Sequence, residues 1–383
     1  MLRQVSIIQP LYVCFSTIVF LTSCQQPAML RRRLRYLFAQ YYLINLKLCV
    51  LLLCGTILLG EVGCFLWKFF SWRIPAPSSS SLNLLLISDS QIQGFRNEPS
   101  GILGSITRLD ADWYLQKAFM LLMMVFTPDA VIHLGDIFDE GNIATDDEFL
   151  HYKTRHDKIF NVRDGVTKIH VAGDNDIGGE WMDSITQNLV SRFSQYFGSI
   201  NEIIELKSFQ IVKVNTLSLR RSKPFKDEEK AYNKTLEFID ELPSKLDGTK
   251  PSILISHTTL KRISNKATIT KLIDAIQPTY AFSGDIHVPA SFHHLIGSVR
   301  FTEYVVPTCS YRMGTDKMGA AIAILGTDGS IDYSILSLPV RYPFFRTYLV
   351  VLAYCLVSFL CWLISNAFRI LPNTICCLLS RYV

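Results

Sequence analysis

Two long stretches of the chain are apolar on every side, and the segment between them alternates. Residues 48–67 form a run of 20 broken by one charge, Glu61, and residues 347–368 form a run of 22 with none. Some twenty apolar residues in a helix cross a ~30 Å hydrocarbon core, so both runs read as transmembrane helices. A core helix of a soluble domain keeps a polar face, which neither run has. An ionised Glu61 in mid-membrane is costly, so the position implies a partner, a proton or an interfacial depth. A third apolar run, residues 5–23, follows Arg3 and precedes small residues, as a signal sequence does; it is not counted as a stable span. Met29, ahead of Arg31, Arg32 and Arg33, offers an alternative start.

Between the two spans the apolar runs shorten and become rich in Val, Ile and Leu. They fall at 84–87, 130–134, 168–171, 209–214, 253–255 and 280–282. Helix-like stretches lie between them at 112–126, 147–160, 185–197, 230–242 and 269–276. This βαβ rhythm predicts a layered α/β fold. Residues 320–325 and 331–336, joined by Gly326-Thr327-Asp328-Gly329, predict a terminal hairpin. The expected organisation is an N-terminal arm over 1–47, a transmembrane helix over 48–69 and a Pro/Ser-rich linker over 70–81. A domain over 82–340, a second transmembrane helix over 347–368 and a tail over 369–383 complete it.

Composition narrows this. The 383 residues are 49% hydrophobic and 19% charged, too apolar for a disordered chain and too charged for a many-span transporter. The net charge of +5 is concentrated before residue 48, where six basic residues meet no acid. The rest is near neutral, so no nucleic-acid partner is expected. Arg31, Arg32, Arg33 and Arg35 precede the first span and Arg369 and Arg381 follow the second; the positive-inside rule places both ends in the cytosol and the domain in a lumen. Lys68, Arg73, Arg341 and Arg346 on the far side act against that orientation. Asn233-Lys234-Thr235 is a sequon within the lumenal segment, making Asn233 a candidate glycosylation site. Of ten cysteines only Cys309 lies between the spans, so the domain is held by its own core rather than by internal disulfides. Cys376-Cys377 are candidates for palmitoylation or are simply apolar residues beside a membrane.

The chemistry lies in the residues just after each strand. Residues 84–87 run into Ser88-Asp89-Ser90-Gln91, and 130–134 into Gly135-Asp136-Ile137-Phe138-Asp139-Glu140-Gly141. The third strand runs into Gly173-Asp174-Asn175-Asp176, the fifth into Ser256-His257 and the sixth into Gly284-Asp285-Ile286-His287. Each block alone is more often a turn, and a lone His257 more often a core histidine. Five in this order, at the strand ends where α/β sheets form sites, are the donor inventory of a two-metal centre.

The order and spacing of these blocks resemble the calcineurin-like metallophosphoesterases, whose pattern is D-x-H, G-D-x-x-D-x-G, G-N-H-[DE], H and G-H-x-H. The resemblance covers about residues 82–340 and implies an α/β αββα sandwich, here between two transmembrane helices. Closer still is the likeness to the membrane-anchored branch that remodels GPI anchors. That branch has the same span–domain–span order, carries Gly-Asp-Ile-Phe-Asp-Glu-Gly in this form, and agrees again at Val171-Ala172-Gly173 and Asp176-Ile177-Gly178. The resemblance implies a hydrolase that uses manganese to remove an ethanolamine-phosphate side branch from the GPI glycan. It also implies residence at endoplasmic reticulum exit sites, the intermediate compartment or the cis-Golgi, with a role in export of GPI-anchored proteins. Those proteins are the implied substrates, the membrane and cargo receptors the implied partners.

The same resemblance assigns one metal to Asp89, Gln91, Asp136 and His287, and the other to Asp136, Asp174, His257 and Asp285, with Asp136 bridging. The chain departs from the pattern at four places: Gln91 and Asn175 stand for His, Asp174 for Asn, and Asp285 for the first His of the last block. The resulting oxygen-rich set with two imidazoles suits two Mn²⁺ or Mg²⁺ ions better than Zn²⁺. The family histidine at Asn175 is placed to stabilise the transition state or protonate the leaving oxygen; an amide donates a hydrogen bond but no proton. General-acid help is worth ~10²–10⁴ in rate. His293 and His294, six and seven residues past His287, are candidates to replace it, although such histidines are more often ordinary surface or loop residues. Three readings stand: a working GPI-glycan phosphodiesterase with Asp136 and Asn175 at its catalytic centre, a weak or inactive relative that binds the glycan or cargo machinery, and a phosphoesterase for another lumenal phosphate ester.

Overall fold

The computed structural model describes residues 28–76, 81–180 and 183–370. The 5–23 run, Arg381 and Cys376-Cys377 lie outside the described residues, as do positions 77–80 of the Pro/Ser linker. The chain divides into two units: residues up to Leu66 with those from Arg341 onward, and Trp67–Val340.

The first unit is built on two apolar helices of membrane length, with windows at Gln40–Ser71 and Tyr342–Ile364. The first runs over Ala28–Leu58, passes through a π-helical turn at Leu59–Gly63 and continues over Cys64–Ser71. The turn presents Glu61, and the second helix (Tyr342–Ile370) answers it. Arg341 pairs with Glu61, donates from Nη1 to the Gly60 carbonyl at 2.9 Å, and the Tyr348 hydroxyl lies 3.2 Å from the same carboxylate. The acid that the apolar run left unexplained is therefore paired. A π-turn is where a helix re-aims a side chain, and here it aims Glu61 at its partner.

In the second unit the strands are β1 (Leu82–Ile87), β2 (Ala130–His133), β3 (Thr167–His170), β4 (Glu202–Leu206), β5 (Phe209–Lys213), β6 (Ser252–Ile255), β7 (Tyr280–Ser283), β8 (Ala290–Ile296), β9 (Val299–Val305), β10 (Gly319–Leu325) and β11 (Ile331–Ser337). They form a five-stranded sheet in the order β11-β10-β1-β2-β3 and a six-stranded sheet in the order β4-β5-β6-β7-β9-β8. β1, β2 and β3 are mutually parallel, as are β5, β6, β7 and β9. Parallel strands are covered on both faces, which is why β1 reads as a continuous apolar run rather than an alternation. One face of each sheet meets the other: Leu84, Leu86, Ile132 and Ile169 pack with Ile211, Ile253, Ile255 and Phe282. The other face of the six-stranded sheet packs Val212, Leu254 and Ala281 against the helices Glu229–Lys245 and Lys266–Ile276. The remaining face of the five-stranded sheet lies under the helices Gly101–Val125 and Asp146–Ile159. This is the αββα sandwich. The second of those helices starts at a capping box, Glu148 N–H donating to Thr145 Oγ1 and Thr145 N–H donating to Glu148.

The helix Gly101–Val125 begins eleven residues before the stretch that its periodicity marks, because Ile102, Leu103, Ile106 and Leu109 face outward and blur the pattern. Three strands, β4, β8 and β9, also exceed the sequence expectation. β4 and β8 are edge strands with half-exposed alternation, and their apolar content is too low to stand out.

Candidate metal centre

All five chemistry-bearing loops meet at one end of the sandwich, because β1, β2, β3, β6 and β7 deliver their C-terminal ends there. Backbone bonds tie them together: Asp89 N–H to the Gly135 carbonyl at 3.1 Å, Gly284 N–H to His257 at 2.9 Å, and Cys309 N–H to Ser88 at 3.0 Å. Such close loops admit little side-chain volume. A Cβ at Gly135, whose φ is +96°, would strike the His257 ring, and one at Gly173 would strike Asp136.

The site residues hold a strained backbone. Seven non-glycine residues among those described have positive φ, and five of them are Asp89, Gln91, Asp136, Asp285 and His287. Each such residue costs about 1–3 kcal/mol, and such strain collects where a side chain must be aimed at a ligand.

The side chains converge. One ligand atom each from Asp89, Asp136 and His257 lies within 4.8 Å of the others, and the same holds for Asp174, His257 and Asp285. His257 is common to both groups. Its Nδ1 donates to the Leu134 carbonyl at 2.7 Å, which turns Nε2 toward Asp174 Oδ1 at 3.0 Å and Asp136 Oδ1 at 3.5 Å. His287 Nε2 lies 3.3 Å from Asp89 Oδ1. Gln91 donates to Asp136 Oδ2 at 2.8 Å, and Asn175 donates to both Asp136 oxygens, from N–H at 3.0 Å and from Nδ2 at 2.9 Å. All eight residues expected at the site are thus in one cluster.

The electrostatics are those of crowded carboxylates. Burial raises Asp136 well above the usual carboxylate range; His257 opposes this, and Asp174 and Asp89 add to it. Burial alone would lower His257, but Asp136, Asp174 and Asp89 carry it well above its ordinary value. The Asp89 carboxylate likewise raises His287. Burial works to raise Asp174, yet His257 outweighs it and the net direction is down. A proton on His257 therefore sits where Asp136 and Asp174 demand positive charge. Asp285 Oδ2 is buried without a hydrogen-bond donor, and buried Asp89 Oδ1 has only the His287 ring nitrogen near it, at 3.3 Å. Orphaned, convergent oxygens beside two imidazoles fit divalent cations, and the two groups fit a dimetal centre.

Other residues shape the site in ways the sequence reading did not assign. Asp176 takes hydrogen bonds from Gly173, Ile137 and Phe138 N–H at 2.9, 3.2 and 3.0 Å, so it clamps the Asp136 loop to the Asp174 loop. Burial pushes it up to about 6 against those three bonds. Arg262 donates to Asp285 at 2.6 Å, and nothing in its local pattern signals this. Asp139, in the fully matching block, does not join the cluster but pairs with Arg312 at 3.1 Å. Glu140 accepts from Arg96 and Asn97 N–H at 2.9 and 2.5 Å. His294 is bound to Glu303 at 2.8 Å and His293 to Thr302 at 3.1 Å, so both imidazoles are engaged on β8 and β9.

A family model described as calcineurin-like phosphoesterase matches residues 82–289. A Drosophila melanogaster protein named Metallophosphoesterase 1 homolog is 25% identical over 288 residues, covering 66% of this chain and 75% of its own. A Caenorhabditis elegans protein of the same name is 24% identical and covers 83% and 93%. A solved dimetal phosphatase from Danio rerio is 12% identical, covers 69% of this chain and 98% of its own, and superposes with a TM-score of 0.38.

Proposed function

The chain belongs to the calcineurin-like phosphoesterase family, and from that premise we propose that it is a membrane-anchored, metal-dependent phosphodiesterase. Its proposed reaction removes an ethanolamine-phosphate side branch from the GPI-anchor glycan and so promotes transport of GPI-anchored proteins from the endoplasmic reticulum toward the Golgi. The observation that carries the hydrolytic reading is the convergence of Asp89, Asp136 and His257 with Asp174, His257 and Asp285 at one strand-end edge. The GPI substrate rests on the span–domain–span order and the Gly135–Gly141 block.

In this reading Asp89, Gln91, Asp136 and His287 would hold one cation, and Asp136, Asp174, His257 and Asp285 would hold the other. The donor set favours Mn²⁺. When bound, such a pair supplies Lewis acidity toward phosphate oxygens and makes a water acidic enough to act as nucleophile. The chain's own residues do the rest. Asp136 joins the two halves, and Gln91 and Asn175 hold its carboxylate in place. Asn175 also offers an amide N–H to the phosphate or the departing oxygen. A cavity of about 410 Å³ is lined by Glu180, Arg220, Arg221 and Arg262; Arg221 is paired with Glu228 and Arg262 with Asp285, while Arg220 Nη1 is buried without a hydrogen-bond partner. Guanidinium groups at that rim draw an anionic diester toward a site whose four carboxylates would repel it.

The domain over 82–340 is proposed to be lumenal, with Asn233 glycosylated. Asn233 is exposed on its helix, whereas Thr235 of the sequon is buried, so the glycan would be added before folding is complete. Asn233→Gln should migrate faster on a gel than the wild type; unchanged mobility would argue against this placement. A second reading, a relative that binds without cutting, is favoured by Asn175, whose amide is engaged by Asp136 and cannot protonate a leaving alkoxide.

The test is a rescue. Cells lacking their own GPI-remodelling phosphoesterase receive this chain or Asp136→Asn, and their GPI glycans are read by mass spectrometry. Loss of the ethanolamine-phosphate branch with the wild type alone supports the proposal. Retention of the branch by correctly localised wild-type protein moves the reading to binding without turnover.

A further inference from the structure

Behind the carboxylate cluster, on the outer face of the five-stranded sheet, three of the chain's eight histidines meet. His133 and His170 end β2 and β3 at paired positions of a parallel ladder. Their neighbours Ile132 and Ile169 face the inter-sheet core, so the two imidazoles point away from it. His156, from the helix Asp146–Ile159, closes over them. All three side chains are buried, and a ring nitrogen of each lies within 4.8 Å of the others. Ring centroids are 4.9, 5.0 and 5.2 Å apart; His133 and His170 stack at 17°, so one of these two rings must turn for both lone pairs to meet at one metal. Phe160 and Phe197 wall the cluster.

An apolar layer is a poor place for three imidazoles unless something uses their nitrogens. Nε2 of His156 and Nε2 of His170 are buried with no hydrogen-bond partner. His156 Nδ1 lies 3.3 Å from Asp157 Oδ1, a contact that favours the proton on Nδ1 and leaves the buried, unpartnered Nε2 as the acceptor. That is the carboxylate–histidine arrangement that orients metal ligands. Burial and mutual proximity also hold the rings neutral, the form a metal requires. Nearby cations are largely compensated. Lys153 pairs with Asp157 at 2.5 Å and Lys213 with Glu202 at 2.8 Å, while Lys168 is exposed to solvent.

We propose that His133, His156 and His170 form a separate metal centre that takes one borderline transition-metal dication, zinc above all, through three imidazole nitrogens. Nitrogen donors without a carboxylate in the set select zinc over manganese or magnesium, the opposite of the strand-end cluster. His133 stands three residues before Asp136 and His170 four before Asp174. A metal there would pin together β2, β3 and the covering helix directly behind the loops that carry the catalytic cluster.

The test uses Co²⁺ as a spectroscopic stand-in for zinc in the full-length chain in detergent. Low-coordinate Co²⁺ on three imidazoles absorbs strongly in the visible, whereas oxygen-rich six-coordinate Co²⁺ absorbs weakly. The expected result is one equivalent giving the strong bands, kept in Asp136→Asn and lost in His156→Leu and in His170→Gln. Circular dichroism confirms that each variant is folded; should His156→Leu fail, His170→Gln, closer in size and polarity, decides. Absence of the strong bands in Co²⁺-loaded wild type, or their survival in His170→Gln, overturns the proposal.

Discussion

Two neighbourhoods on the same two strands handle ligand-bearing side chains in opposite ways. At the ends of β2 and β3, Asp136, on a strained backbone, and Asp174 stand among other carboxylates, with His257 delivered from the end of β6. A few residues earlier, His133 and His170 sit in regular strand within an aromatic layer, with no carboxylate closer than the one that holds His156. Charge drives the imidazole up at the edge and burial drives it down in the layer. The contrast teaches that position along a strand sets what a donor can do. The edge gathers hard oxygens and imidazoles; the face a few residues back gathers imidazoles alone.

The largest expected effect separates the two. Asp136→Asn should lower the proposed phosphodiesterase activity by on the order of 10³-fold or more, since a cation pair held there would supply several kcal/mol of transition-state stabilisation. The same variant should leave the three-histidine centre loaded; hydrolysis of a chromogenic diester and metal content on one sample check both. Asn175→His should raise the turnover number about 10²-fold by restoring a proton donor, measured with a diester whose leaving group is an alkoxide. An unchanged rate would place the limiting step elsewhere. Arg262→Gln should raise KM about tenfold, the size of one charge-assisted hydrogen bond to an anion, with a smaller change in kcat.

The smallest effect is a slope. Burial holds His156 below its ordinary range in the folded chain, although Asp157 opposes this. Unfolding of the metal-stripped protein therefore takes up a proton as pH falls below about 6.5, and stability is lost on acidification through that window. His156→Leu should remove up to one proton from that dependence, about 1.4 kcal/mol per pH unit. Denaturant titrations between mildly acidic and neutral pH, wild type against variant, measure it. Equal slopes would mean that His156 is not held neutral.

The same contrast explains what the sequence made legible. The edge could be read because each donor follows a short Val/Ile/Leu run and most sit beside a glycine, so Asp89, Asp136, Asp174, His257 and Asp285 stood out in order. The layer could not. His133, His156 and His170 occupy unremarkable strand and helix positions, and only the parallel pairing of β2 with β3 and the crossing helix brings them together. Arg262 was hidden for the same reason, since its partner Asp285 lies after another strand. The edge strands β4 and β8 were missed because half-exposed alternation carries little apolar signal, while the buried β1 and β10 carry a great deal.

Anomalous X-ray scattering from crystals of the full chain grown with manganese and zinc tests the dimetal reading most directly. Two manganese peaks are predicted between Asp89, Asp136, His257 and Asp285, bridged at Asp136, with one zinc peak among His133, His156 and His170. No manganese at the strand-end cluster would contradict the dimetal reading of this phosphoesterase.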